Sequence, residues 1–306
     1  MRPAYSRLVK EIRDGKFVFT GELEPEKVTD LSDVIKSAEA MKPYVVAANV
    51  TDGPQAMAYI NSLVPAYIVQ RETGLETICQ MTVRDRNRIA LTADILAAAH
   101  LGIRNILALS GDHTTLGDNP GAMPVYDLDS TQLVYLLHLL VDEGRDLAGH
   151  EIHGKVEINV GIAGNPNADP LEPEILKIER KVRIGVDFIQ TQTVFDIEKA
   201  KTFLKEIEYL NTPCLIGIFP IKSYRIAEYF NKYIPGVSVP DEFMEALKKC
   251  KEEPDKQKRK EKYDEANIEF FAPFIKELRK TTKAAGIHVM AVLYERIFKP
   301  LFEAVG

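Results

Sequence analysis

Polar residues follow or interrupt several short apolar runs of this sequence, and their types are those that bind and protonate polar molecules. The set comprises Glu22, Asn49, Thr51, Asp52, Gln80, Thr82, Arg84, Asp85, Ser110, Gly111, Asp112, Asn165, Asn167, Gln190 and Gln192. It forms neither a Ser/His/Asp nor a Cys/His nucleophile arrangement. Acid-base or cofactor chemistry on a polar heteroaromatic substrate fits such a set.

Some of these residues also have a purely structural interpretation. Asp85 could cap the helix predicted to follow it, and Asp52, before a Gly-Pro pair, is typical of a turn. Gln190 and Gln192 share one face of a strand, where an amide could satisfy hydrogen bonds inside the fold. Asp112 could also be a turn residue, but it follows a glycine whose exposed backbone suits the close approach of a flat polar ligand.

The histidine and cysteine patterns predict neither a metal nor a disulfide framework. Four histidines fall on predicted helices or loops away from the strand ends, without metal-ligand spacing, and they are His100, His138, His150 and His153. The three cysteines are widely spaced and form no CxxC pair, and they are Cys79, Cys214 and Cys250.

Composition narrows the class of protein further. The chain has 306 residues, 45% of them apolar, and a formal charge of −6 at pH 7, which is typical of a globular protein and argues against a nucleic-acid surface. Neither a signal peptide nor the roughly twenty apolar residues of a membrane span is recognisable, so we expect a cytoplasmic protein.

The elements that must position the polar residues alternate between strands and helices. Eight strands are predicted, over 16–23, 44–50, 76–83, 105–111, 155–163, 187–194, 214–220 and 286–293. Helical periodicity occurs between them, over 31–42, 85–102, 131–144, 174–185, 196–210 and 224–234. This number of strand-helix units predicts an α/β fold of the (β/α)8 TIM-barrel type, whose chemistry lies at the carboxyl ends of the strands.

One barrel domain over residues 1–306 accounts for the pattern, with a helical insertion at about 238–284 before the last strand. The charged run within it is typical of a solvated helical hairpin. An open nucleotide-binding sheet is disfavoured because no G-x-G-x-x-G follows the first strand.

Several motifs, in this order, resemble those of the 5,10-methylenetetrahydrofolate reductase family. They are GELEP (21–25), MKPYVVAANVTDG (41–53), QMTVRDRNR (80–88), GIRNILALSGD (102–112), PVYDLDS (124–130), LKIERKVRIGVDFIQTQTVFD (176–196) and IGIFPIKS (216–223). The resemblance runs through nearly the whole chain. It implies a flavin-bearing barrel that reduces methylenetetrahydrofolate to methyltetrahydrofolate with NAD(P)H as electron donor, in one-carbon metabolism.

The resemblance also implies roles for individual residues. Glu22 matches the general acid that helps open the folate ring before hydride arrives from reduced flavin, and Glu24 stays an alternative acid. Asp112 matches an aspartate between flavin and pterin, and Gln192 a glutamine that contacts folate and nicotinamide. Tyr224 and Arg296 are further substrate-binding candidates. The flavin contacts implied are Asn49, Gln80, Ser110, Gly111, Asp112, Tyr126, Ala163, Asn167, Glu174, Arg180 and Lys181, of which the last two are phosphate partners.

The sequence departs from the family pattern at three places. Ser110 stands where many relatives have arginine, and Ala163 where they have a tyrosine stacked on the flavin, so FMN stays an alternative to FAD. The C-terminal LNR motif has become LYER (293–296), which leaves Arg296 a loose match.

Two other functions stay open at this point. A short flavin subunit of the kind found in acetate-producing anaerobes would take electrons from an iron-sulfur partner in place of NAD(P)H. A barrel that binds folate for methyl transfer would need no flavin. A homo-oligomer is compatible with each of these functions.

Overall fold

The computed structural model describes residues 2–234 and 236–306, and its strands close into an eight-stranded barrel. Every neighbouring pair of strands is parallel, including β8 with β1. The strands are β1 (Val18–Leu23), β2 (Ala47–Val50), β3 (Glu76–Thr82), β4 (Asn105–Leu109), β5 (Asn159–Gly164), β6 (Phe188–Thr193), β7 (Cys214–Ile218) and β8 (Gly286–Val289). The predicted (β/α)8 fold and all eight predicted strands are confirmed.

The described residues form eleven α-helices, most of which cover the outside of the barrel. They are α1 (Arg7–Arg13), α2 (Ser32–Met41), α3 (Leu63–Thr73), α4 (Arg88–His100), α5 (Ser130–His138), α6 (Glu172–Gly185), α7 (Ile197–Glu206), α8 (Tyr224–Tyr233), α9 (Asp241–Lys251), α10 (Lys256–Thr281) and α11 (Phe298–Val305). α5 continues as a π-helical turn over Leu139–Glu143. The six predicted helical segments are present, whereas α1, α3 and α11 were not among the predictions.

The start of α4 corrects one interpretation of the sequence. Asn87, and not Asp85, caps this helix, because the Asn87 side-chain oxygen accepts hydrogen bonds from the backbone N–H groups of Ile89 and Ala90, both at 3.1 Å. Asp85 instead accepts hydrogen bonds from the Arg84 guanidinium at 2.7–3.1 Å. Asp85 and Asn87, two residues apart, are both suited to a cap position, and the residue next to the first helical turn occupies it.

The amino-terminal end of the barrel is filled by α1. Three of its apolar side chains, Leu8, Val9 and Ile12, are buried against residues at the starts of the strands, among them Val18 and Phe188. Burial of this apolar surface stabilises the fold by roughly 25 cal/mol for each Å² removed from water. Since α1 fills the barrel interior at this end, we look for the site at the carboxyl end, where (β/α)8 barrels bind their ligands.

The segment between β7 and β8 contributes helices α8, α9 and α10. The rings of Phe243 on α9 and Phe270 on α10 stack with centroids 4.2 Å apart, which joins these two helices. Asn267 on α10 accepts a hydrogen bond from the backbone N–H of Ile221 at 2.6 Å, so α10 is also tied to the loop after β7. The charged residues around the α9–α10 turn lie mostly exposed.

No helix in the described ranges is both long enough and apolar enough to cross a bilayer.

Candidate active site

The described part of the chain contains two large cavities at opposite ends of the barrel. The larger, about 1060 Å³, lies at the amino-terminal end beside α1 and α10. The smaller, about 560 Å³, is lined by residues at the carboxyl ends of the strands and by the loops that follow them. We assign the site to the smaller cavity, because (β/α)8 barrels carry their chemistry at that end and the predicted polar residues converge there.

Glu22 near the end of β1 is one of the carboxylates that line this cavity. Its side chain is 13% exposed, and its Oε2 atom lies 3.4 Å from Nε2 of His288 on β8 and accepts a hydrogen bond from Gln80 on β3 at 3.3 Å. The other ring nitrogen of His288, Nδ1, lies 3.0 Å from the Thr20 hydroxyl. A line of hydrogen-bonding groups thus runs from Thr20 through His288 to Glu22.

Two buried amides form a hydrogen-bonded layer inside the barrel, in which Asn49 is the strand partner of Glu22. Asn49 on β2 donates to the side-chain oxygen of Gln190 on β6 at 2.9 Å, and Gln190 donates in return to Asn49 and to Thr20, both at 3.2 Å. All three side chains are almost completely buried. The interpretation of Gln190 as a residue that satisfies hydrogen bonds inside the barrel is confirmed, and the layer gives the cavity a rigid polar floor.

Asp52 holds the loop after β3 in place. Its buried carboxylate accepts hydrogen bonds from the backbone N–H and the hydroxyl of Thr82 at 2.8 and 2.9 Å, and from Arg86 at 2.6 and 3.0 Å. Burial alone would raise the pKa of Asp52, but the Arg86 contact and the Thr82 hydrogen bonds outweigh it and hold this pKa below its usual value. Asp52 is therefore a fixed anchor between two loops and more than a turn residue.

Asp112 lies on the rim of the cavity after Gly111. Gly111 has φ +81°, and a Cβ there would lie 3.1 Å from the Thr82 side chain, so glycine suits this turn. The backbone N–H of Gln55 donates to the Asp112 carboxylate at 2.8 Å, and Arg84 donates to the Asp112 carbonyl at 3.2 Å. These contacts orient the carboxylate at the cavity entrance, where a ligand's N–H groups can compete for it.

Helix α6 contributes the charged side of the cavity. Glu174, Lys177 and Lys181 follow one another at three- and four-residue spacing, which places them on one face of the helix, and all three line the cavity. Lys181 is only 3% exposed and makes no hydrogen bond or ion pair within residues 2–234 and 236–306. Burial, assisted by the charge of Lys177, lowers the pKa of Lys181 to about 8. A buried cation without a partner is suited to an anionic ligand group.

Most residues predicted for the site line this cavity. They are Glu22, Asn49, Gln80, Ser110, Gly111, Asp112, Ala163, Glu174, Lys181 and Gln192. Gln192 is exposed, and its amide makes no hydrogen bond with the described residues. The hydroxyls of Thr51 and Thr193 also lie in the cavity wall, buried and without a hydrogen-bond partner among the residues described. Polar groups left free in this way can bind a polar ligand.

Five predicted site residues lie away from the cavity lining. Arg180 projects to solvent from α6, one position round the helix from Lys181. Asn167 donates to the Thr193 carbonyl at 2.8 Å and so holds the loop after β5. Tyr126 lies behind the rim, with its hydroxyl 3.4 Å from the Gly111 carbonyl oxygen.

Tyr224 and Arg296 are the other two residues outside the lining, and each is engaged elsewhere. The Tyr224 ring lies beneath the Lys251 ammonium, 5.1 Å from its centroid, and packs against the core. Arg296 forms a two-bond ion pair with Asp264 at 2.9 and 3.0 Å and lies over the Tyr294 ring. Neither side chain points a free polar group at the cavity.

His288 is the site residue that the sequence interpretation missed. It lies inside a predicted strand, and its partners Thr20 and Glu22 are more than 260 positions away in the chain. Only closure of the barrel, which pairs β8 with β1 and sets Thr20 opposite His288, brings them together. The sequence did contain one signal for this residue, namely a histidine within the last predicted strand, which in a closed barrel pairs with the first.

No group of three or more metal-binding side chains occurs in the described ranges.

Comparisons with known proteins show the family of the chain. A sequence model of the family "Methylenetetrahydrofolate reductase" matches residues 7–306. The closed parallel barrel with polar side chains at its carboxyl end defines a protein of the TIM-barrel class. The chain belongs to the methylenetetrahydrofolate reductase family.

Individual relatives are distant. "Methylenetetrahydrofolate reductase 1" of Schizosaccharomyces pombe is 26% identical over 248 residues, which are 78% of this chain and 37% of that protein. "5,10-methylenetetrahydrofolate reductase" of Pectobacterium carotovorum is 23% identical over 247 residues, 78% of this chain and 76% of that protein. The chain thus spans little more than a third of the length of the fission-yeast relative.

A solved structure has the same fold. It is an uncharacterized protein from Clostridium thermocellum, described as binding two copies of 5-methyl-5,6,7,8-tetrahydrofolic acid. The TM-score is 0.64 at 14% identity, with 97% of this chain and 98% of that chain covered. This likeness concerns the fold.

Proposed function

We propose that this protein reduces 5,10-methylenetetrahydrofolate to 5-methyltetrahydrofolate with a bound flavin. The observation that carries the proposal is Glu22, a cavity-lining carboxyl group connected to His288 and Thr20 by hydrogen-bonding contacts. Family membership and the folate bound by the structural relative from Clostridium thermocellum support the substrate class.

The residues present fit a flavin. Two buried hydroxyls, on Thr51 and Thr193, have no partner among the residues described and can hydrogen-bond a polar ring. Lys181, which is likewise unpaired within that part of the chain, can bind a phosphate group. Bound flavin would supply the hydride. FAD is our first choice of cofactor. FMN stays the alternative, because Ser110 and Ala163 offer neither the cation nor the aromatic ring that many relatives have at these positions.

Glu22 would act as the general acid on the folate. In its neutral form it donates a proton to the ring nitrogen that leaves when the five-membered ring opens, and a carboxylate remains. Gln80, at 3.3 Å, and His288, at 3.4 Å, then stabilise that carboxylate through N–H donors. Gln190, which is hydrogen-bonded to Asn49, donates to the Thr20 hydroxyl, and Thr20 contacts the His288 ring, so this buried pair helps to orient His288.

Asp112 and Gln192 would hold the substrate. The Asp112 carboxylate accepts N–H bonds at the cavity rim, as it does from Gln55 here, and so suits the amino group and ring N–H of a pterin. Gln192 offers a free amide with both a donor and an acceptor. Five predicted residues lie outside the cavity lining and would not contact the ligand, namely Tyr224, Arg296, Arg180, Asn167 and Tyr126.

The electron source separates two versions of this function. NAD(P)H could enter the same cavity, or an iron-sulfur partner protein could deliver electrons, and no contact among the residues described favours one of the two. The cavity's polar wall and buried lysine favour a flavin-dependent reaction over methyl transfer without flavin.

The test starts from the purified protein reconstituted with FAD or FMN. Its absorbance spectrum and the mass of the flavin released on denaturation identify the cofactor. Oxidation of methyltetrahydrofolate with menadione as acceptor, and reduction of the flavin by NADH or NADPH, are then measured separately. A yellow protein active in the first assay supports the proposal. A colourless protein that binds neither flavin would overturn it.

A further inference from the structure

The larger of the two cavities, at the amino-terminal end of the barrel, is rich in cationic side chains. Of the residues that line it, six are lysine or arginine, and a single one, Glu208, is acidic. The chain as a whole carries a formal charge of −6, so the positive charge of this cavity runs against the overall charge and favours anions locally. The six cationic residues are Lys16, Lys201, Lys205, Arg279, Lys280 and Lys283.

Three of these cations are available to a ligand. Within residues 2–234 and 236–306, no carboxylate side chain forms an ion pair with Lys205, Arg279 or Lys280, and all three residues are exposed. Arg279 donates a hydrogen bond to the backbone oxygen of Gly306 at 2.9 Å. The other three cations contact acidic side chains, Lys16 with Glu11, Lys201 with Glu198 and Glu277, and Lys283 with Glu208.

Apolar side chains line the same cavity. Ile12, Leu204 and Ile207 are buried members of the lining. The guanidinium of Arg279 lies over the ring of Phe17, 5.5 Å from its centroid, which sets a planar cation beside an aromatic ring. The volume of about 1060 Å³ is at the upper end of the range of roughly 300–1,000 Å³ typical of small-molecule sites. A molecule that has both phosphate groups and an apolar body would contact both kinds of lining.

Helix ends account for part of the positive charge. Lys205 lies in the last turn of α7, and Arg279 and Lys280 lie in the last turn of α10, where cations stabilise a helix. Lys16 and Lys283 lie outside the helices. Stabilisation of each helix does not require that both helix ends and the two connecting segments line one cavity, so the convergence of the cations needs a further reason.

We propose that the amino-terminal cavity is a second binding site, which takes a phosphorylated organic anion such as a nucleotide. Lys205, Arg279 and Lys280 bind the phosphate groups, and the apolar lining contacts the rest of the molecule. Binding there involves no covalent or redox step. The inference does not depend on the proposed function, because the two cavities lie at opposite ends of the barrel and have no lining residue in common.

Isothermal titration of the full chain at low ionic strength tests the site with ATP as the probe, and with tripolyphosphate and adenosine as its separate parts. We expect one ATP to bind per chain. Tripolyphosphate should bind about tenfold more weakly, because it offers nothing to the apolar lining. Adenosine, which offers nothing to the cations, should not bind measurably.

Two double variants locate the bound ATP. Lys205→Gln combined with Lys280→Gln should weaken ATP binding about tenfold, because two contacts between an ammonium and a phosphate are lost. Lys249→Gln combined with Lys260→Gln removes the same charge from exposed lysines outside the cavity lining and should leave ATP binding unchanged. Lys260 lies about 30 Å from Lys280 along α10. All four lysines are exposed, so both variants should fold as the wild type does.

A third variant, Lys181→Met, separates the two cavities. ATP binding should be unchanged in it, and a tenfold loss would place ATP in the carboxyl-end cavity and overturn the proposal. Absence of ATP binding, or equal weakening in the two double variants, would also overturn it and leave the cations as charges that stabilise helix ends. Tripolyphosphate bound as tightly as ATP would overturn the assignment to an organic anion. Failure of the protein to reduce methylenetetrahydrofolate would count against the proposed function alone.

Discussion

Replacing Glu22 by glutamine removes the proton that the proposed mechanism delivers and leaves the shape of the side chain unchanged. The contacts to Gln80 and His288, at 3.3 and 3.4 Å, are long, and an amide oxygen can still accept from either. We therefore expect the free energy of unfolding to change by less than about 1 kcal/mol. The flavin and folate sites should remain intact.

The effect on catalysis should be far larger. A general acid typically contributes 10²–10⁴-fold, which corresponds to about 2.7–5.4 kcal/mol of transition-state stabilisation. Stopped-flow measurement of the two half-reactions separates this loss from other causes: flavin reduction should proceed at the wild-type rate, and flavin reoxidation by methylenetetrahydrofolate should slow by at least about 10²-fold.

Glu26→Gln is the control for the loss of one negative charge at the mouth, since Glu26 is exposed three residues beyond Leu23. It should behave as the wild type in both half-reactions. Reoxidation of Glu22→Gln within a few-fold of the wild type, with normal flavin reduction, would refute the assignment of the acid.

Three further substitutions test how the cavity is held together. Lys181→Met should weaken flavin binding at least about tenfold. It should also stabilise the ligand-free protein at pH 7 by about 1–3 kcal/mol, because a buried ammonium with no partner among the residues described is lost. Isothermal titration measures the loss of affinity and chemical unfolding measures the gain in stability, with Arg180→Met as the exposed control. The stabilisation should shrink as the pH rises through about 8, where the wild-type lysine itself becomes neutral. Asp52→Asn should lower the free energy of unfolding at pH 7 by about 3–5 kcal/mol, and that difference should narrow below about pH 4, because a lowered pKa stabilises only while the carboxylate is ionised. Arg296→Met should leave the folate KM within about twofold and cost roughly 1 kcal/mol of stability through the lost ion pair; a tenfold rise in KM would place this residue in the substrate site.

The sequence predicted the barrel because each strand is a short apolar run and the helices between them have an apolar face. The three helices that were not predicted have weaker helical signals in the sequence. α1 is short, with seven residues, and α3 and α11 contain prolines. Their positions depend on packing, as with the apolar face of α1 that fills the end of the barrel. Such long-range contacts leave little trace in a local window of sequence.

The site could be predicted where strand geometry decides it. Residues at strand ends, such as Glu22, Asn49 and Gln80, line the cavity because parallel strands deliver their carboxyl ends to one face. Residues on helices could not be assigned by order alone. Lys181 faces the cavity, whereas Arg180 faces solvent. The three- and four-residue spacing of Glu174, Lys177 and Lys181 was the sequence signal that places Lys181, and not Arg180, on the face towards the cavity.

The most direct measurement of the central claim is a single turnover of the flavin-loaded protein. The flavin is reduced under anaerobic conditions and mixed with methylenetetrahydrofolate, and the flavin absorbance is followed while products are separated. We predict that one equivalent of 5-methyltetrahydrofolate forms for each flavin reoxidised, and that Glu22→Gln slows this step by at least about 10²-fold. A reduced flavin that stays reduced in the presence of methylenetetrahydrofolate would contradict the account.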